Sequence, residues 1–141
     1  MTKFICMLLA LPLAASICAQ TNEVDPCTLI DKAALTKIFG EIKEGPKAKE
    51  GLMKEKQCEW TNMSGSWVSL SVYTAERWGL KKGSGNNPVE VKDLGEEAFT
   101  DKRGTDSEIY IRKGKSMLEV RTSAGSDVAR KVAESVITKL P

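Results

Sequence analysis

Cys27 and Cys58, scattered carboxylate pairs, a lysine-rich stretch and a row of aromatics alternating with arginines are the residues here whose types can do chemistry. One omission limits them all, because the 141 residues contain no histidine. Without an imidazole, Ser-His-Asp and Cys-His machinery cannot be assembled from this chain, and two cysteines fall short of the four ligands of a zinc site. Glu96 and Glu97 are adjacent carboxylates beside Gly95, where water solvates both; a general acid and base need environments that differ. Asp101, Asp106 and Glu108 lack the alternating ligands of a calcium loop, and Lys102 and Arg103 sit among them. Lys47, Lys49, Lys54 and Lys56 are interleaved with Glu44, Glu50 and Glu55, which makes a solvated mixture and no anion-reading surface. The "GSG" at 83–85 is followed by Pro88 and a strand-like run, where a phosphate cradle requires a helix. These residues predict a protein that is not an enzyme and holds no cofactor and no metal.

The role of the cysteines depends on the N-terminus, "MTKFICMLLALPLAASICAQ". Lys3 precedes an apolar run from Phe4 to Leu13 with small residues after it, the pattern of a secretory signal peptide. The run is shorter than the roughly 20 apolar residues of a membrane span, and Pro12 interrupts it. Lipid attachment at Cys18 requires a small residue before the cut, and Ile17 stands there. A cut after Ser16 has Ala14 and Ser16 as its small pair, but the preferred cut follows Ala19 and predicts a signal peptide over 1–19, a single secreted domain over 20–141 with no transmembrane span, and a periplasmic or secreted location. Cys6 and Cys18 leave with the leader, so Cys27 and Cys58 remain in an oxidising compartment as the expected disulfide. Loss of Lys3 leaves 20 basic against 19 acidic residues, and so near-neutral a chain has no global field for nucleic acid.

Positioning falls to a few short elements. Asp31 caps a predicted helix in which Ala34, Leu35, Ile38 and Phe39 share a stripe and Gly40 ends it. Gly40 to Gln57 reads as a long surface connection with one short edge strand. "CEWTN" and "SWVSLSVYT" are strands joined through "MSGS". Trp78 to Pro88 reads as a mobile loop, dense in Gly and Asn. "VEVKDLGEEAF" turns at Gly95, and "SEIYIRKGKSMLEVRTS" is a hairpin in which Ile109 and Ile111 face Leu118 and Val120. Ser126 or Asp127 caps a terminal helix with Val128, Val132, Ala133, Val136, Ile137 and Leu140 on one stripe. The predicted fold class is α+β, an antiparallel sheet with a short N-terminal helix and a C-terminal helix packed on one face.

The ordered series "DPCTLID…AL…FG", "CEW" opening a strand, "V…DLGEEAF", a paired hairpin and a closing helix resembles a family of small bacterial secreted proteins and lipoproteins. That family is best known from actinobacteria and is catalogued mainly as a domain of unknown function. The resemblance covers nearly all of the mature chain. It implies a cysteine pair matching Cys27 and Cys58, an α+β fold and life outside the cytoplasm, and it brings no catalytic residues. The poor lipobox at Cys18 departs from its lipoprotein members.

Strand alternation that sends the aliphatic set inward sends Trp67, Tyr73, Tyr110, Arg112, Met117 and Arg121 to the other face. Trp, Tyr, Met and Arg are enriched where proteins meet partners, so these six are the candidate binding residues. The competing expectation is that the 78–88 segment or the lysine-rich stretch folds over them as a satellite core. The predicted function is a non-catalytic binding module at the cell envelope, taking an unknown protein or an apolar small molecule. A secreted inhibitor or accessory subunit of an enzyme is the alternative.

Overall fold

The computed structural model of the protein describes residues 24–52 and 55–141. The predicted signal peptide with its cleavage site, Cys18 and Lys54 all lie outside the described residues. The fold is α+β. Seven strands form one antiparallel sheet: β1 (Ile42–Glu50), β2 (Lys56–Asn62), β3 (Trp67–Thr74), β4 (Val89–Val91), β5 (Glu97–Arg103), β6 (Asp106–Lys113) and β7 (Ser116–Thr122). Their order across the sheet is β1-β2-β3-β7-β6-β5-β4. The helices are α1 (Lys32–Phe39), α2 (Trp78–Ser84) and α3 (Ser126–Val136).

Period-two alternation gives the sheet its inner face. Leu70 lies opposite Cys58 on one side and Val120 on the other, and Val120 in turn opposes Ile109. With Trp60, Val68, Ile111 and Leu118 these residues are buried almost completely. α3 covers them with Ala129, Val132, Ala133 and Val136. Val132 and Val136 each contribute about 1.5–3 kcal/mol on removal from water, and the alanines less. α1 adds Leu35 and Phe39 to the same core. The Asp31 carboxylate accepts from the Ala34 N–H at 2.7 Å, which satisfies one of the helix's unpaired donors.

A disulfide joins Cys27 to Cys58 with the Cα atoms 5.1 Å apart. It fastens the 3-10 turn Pro26–Thr28, which precedes α1, to the middle of β2. A second fastening is Asn62, whose amide donates to the Phe39 carbonyl at 2.8 Å and accepts from Ser64 and Ser66 in the β2–β3 turn. At the β4–β5 turn Gly95 has φ +67°, and a Cβ there would lie 2.5 Å from Ile111 Cγ2 and 2.7 Å from the Arg112 carbonyl oxygen. Only glycine fits both the conformation and the space.

Three expectations need correction. The Gly40–Gln57 stretch does hold an edge strand, but that strand is not short and leaves no long connection, since β1 takes nine of its residues. Paired on one edge only, β1 needs no apolar alternation; it carries Lys43, Glu44, Lys47, Lys49 and Glu50, includes Pro46, and breaks register twice. The 78–88 loop begins with a helix, α2, because Trp78 is drawn onto the sheet. Finally, Gly125 occupies the N-cap of α3 and neither Ser126 nor Asp127 caps it; Asp127 stands in the first turn, where its charge suits the helix dipole.

Candidate recognition face

The outer face of the sheet carries all six predicted binding residues, and the structure divides them. Tyr73 on β3, Tyr110 on β6 and Met117 on β7 are buried with Phe99 and Trp78 in a second, smaller core. α2 makes this cover. The Trp78 indole meets Phe99 edge-on with centroids 5.1 Å apart, and Phe99 stacks on Tyr110 at 4.8 Å. For these three residues the satellite core is the arrangement found. Arg112 stands at its rim, paired with Glu97 and, at 3.8 Å, with Glu96. The Trp78 Nε1–H donates to Glu97 as well, at 2.9 Å.

The other two residues lie beyond that cover. Trp67 and Arg121 are partly exposed, and with Gln57, Glu59, Thr61, Gly65 and Ser69 they line an open depression of about 310 Å³. The pleat brings these residues together, because Glu59 opposes Ser69 and Ser69 opposes Arg121 across β2, β3 and β7. The Arg121 guanidinium lies over the Trp67 ring, 5.3 Å from its centroid. It is held there by Asp106 and by Glu108, whose Oε1 is 3.2 Å from Nε. Glu59 is held in turn by Lys49 at 2.7 Å. A cation stacked on an aromatic ring and braced by carboxylates is a stiff, flat, amphipathic surface.

Asp106 and Glu108 thus brace an arginine, while the Asp101 carboxylate accepts from the backbone N–H groups of Asn86 and Asn87 at 3.2 and 3.4 Å. Among the described residues no three His, Cys, Asp or Glu side chains are placed to hold a metal ion. Nor, among those residues, is any helix long and apolar enough to cross a membrane.

Sequence reasoning missed two buried carboxylates. Glu108 and Glu119 accept from the hydroxyls of Tyr110 and Tyr73 respectively, each at 2.8 Å. Desolvation, with the negative charge of Glu119 next, pushes both phenols far above their ordinary range. The signal was present, since Glu108 and Glu119 stand two residues from Tyr110 and from Met117 and Arg121 on the same faces of their strands. It went unused because carboxylates in alternation read as solvated.

Neither a family model nor a curated protein matches the sequence. The fold is similar to that of a GTP binding regulator from Thermotoga maritima in its crystal structure, with a TM-score of 0.51 and 13% identity over 81% of this chain and 93% of that one. At that identity the likeness is one of fold.

Proposed function

We propose that the protein is a non-catalytic binding module of the envelope, periplasmic or secreted, belonging to the small secreted bacterial family that it resembles. It recognises a protein partner through the open half of the outer face. The observation that carries this reading is the Trp67–Arg121 stack in an open, polar-lined depression. Such a surface suits a partner's side chains better than it suits an apolar small molecule, which needs enclosure. The disulfide supports a compartment outside the cytoplasm. The neighbour's GTP is not carried to this chain, because Gly83–Gly85 closes α2 and opens no helix whose N–H groups would meet a phosphate. A module of this kind acting as an inhibitor or accessory subunit of an enzyme would use the same surface.

The test is crosslinked capture from the native envelope fraction with the parent and with Trp67→Ser, alongside melting of both. Loss of the captured partner with a melting point close to the parent supports the reading. Equal capture by the two proteins overturns it.

A further inference from the structure

The covered half of the outer face contains a cation held on three sides. Lys81 lies in the middle of α2, and its ammonium is 2.9 Å from a carboxylate oxygen of Glu119 and 3.5 Å from the Tyr73 hydroxyl. It stands 4.8 Å from the centroid of the Tyr73 ring and 5.3 Å from that of Tyr110. Two phenol rings and a carboxylate around one ammonium make a cation site. Every wall belongs to the sheet: Tyr73 to β3, Tyr110 to β6, Glu119 to β7. The cation alone comes from an element outside it.

That element is lightly built. α2 has seven residues and no side-chain hydrogen bond at its N-cap. Gly79 and Gly83 face open space, and glycine is among the poorest helix formers. Beyond the far end of α2 the chain is tied to β5 by Asp101, which accepts from the Asn86 and Asn87 N–H groups, and at the near end Trp78 is held by Glu97 and Phe99. Gly79 follows it directly, so the segment bearing Lys81 has a pivot beside its anchor.

We propose that Tyr73, Tyr110 and Glu119 form a binding site for a primary ammonium, which Lys81 occupies in cis and so keeps closed. A primary ammonium is specified because Glu119 and the Tyr73 hydroxyl both lie within reach of N–H donors, which a quaternary ammonium lacks. The site uses none of the residues lining the open depression, so it stands or falls apart from the Trp67–Arg121 reading.

The experiment is amide hydrogen exchange on the whole protein with n-butylammonium as the primary ammonium and tetramethylammonium at equal concentration as the control. The expected result is that amides of residues 80–84 exchange faster than those of β3 and β7, and that butylammonium speeds them further and saturably while tetramethylammonium does not. Gly79→Ala, which adds a methyl into open space, slows that opening about fivefold. Lys81→Ala, with the site vacated, binds butylammonium at least about tenfold more tightly than the parent, read from the Tyr73 and Tyr110 ring resonances. Exchange of α2 only together with the sheet, an equal response to the two ammonium ions, or no gain in affinity on Lys81→Ala would overturn the proposal.

Discussion

Cutting the Cys27–Cys58 bond tests how much of the fold depends on one crosslink. The two residues are 31 apart in sequence. Removing that constraint from the unfolded chain costs about 3.7 kcal/mol at 25 °C by loop-closure entropy. Cys27→Ser is the cleaner perturbation, because Cys27 is half-buried while Cys58 is fully buried and its free thiol packs as a small apolar group. Cys58→Ser adds a hydroxyl in the core with its former partner gone, about 1–3 kcal/mol more. For a domain this size, with a urea dependence of about 2 kcal/mol per molar, Cys27→Ser should lower the midpoint by roughly 2 M. The measurement is a urea melt followed by tryptophan fluorescence, with the parent run with and without reductant. The 3-10 turn and α1 should lose amide protection first, since the bond ties that segment to β2. Coincident midpoints for oxidised, reduced and Cys27→Ser protein would refute the reasoning.

Alkali should unfold the protein through its tyrosines. The chain has two, Tyr73 and Tyr110, and both are held un-ionised in the fold with pKa values raised above the unfolded value of about 10. The stability this represents is complete below pH 10 and is lost as pH climbs above it; phenolate absorbance should therefore rise together with loss of structure, and early titration in the folded state would contradict the burial. Val132→Asp places an unpaired charge beneath α3, where Val132 has no exposure, and a cost of several kcal/mol should abolish cooperative melting. Gly95→Ala forces a Cβ against Ile111 and the Arg112 carbonyl at positive φ; a loss of about 1–3 kcal/mol is expected in denaturant melts, and parent-like stability would show that the turn yields. Tyr110→Ser should lose about 3–5 kcal/mol, by analogy with other large core truncations, whereas Trp67→Ser at its partly exposed site should lose clearly less; melting midpoints compare them directly.

What was legible in the sequence follows from how much each element depends on its own residues. The β6–β7 hairpin is written in Ile109, Ile111, Leu118 and Val120, which alternate and pair as their spacing requires. The stripe of α3 is equally local in origin. β1 was legible only as a short edge strand, because beyond Ile42 both of its faces meet solvent and it carries Lys and Glu in place of an apolar row. α2 was not legible: Gly79 and Gly83 weaken its propensity, and contacts distant in sequence, Trp78 on Phe99 and Lys81 on Glu119, hold it. The outer face itself could be read from alternation. Its division could not, since which aromatics are covered depends on where the chain after β3 returns.

The edges of the sheet bear on how the protein behaves when crowded against copies of itself. An open sheet offers two rows of unpaired backbone groups, and either is a template for another strand. β4 is only three residues long, and β1 answers with a proline that has no N–H to donate, register breaks that deform the row, and alternating charges, among them the Glu44–Lys47 pair. The charged, proline-bearing β1 therefore acts as a terminus. It halts strand addition at seven, so copies of the chain meeting side by side find no edge along which a longer sheet could grow.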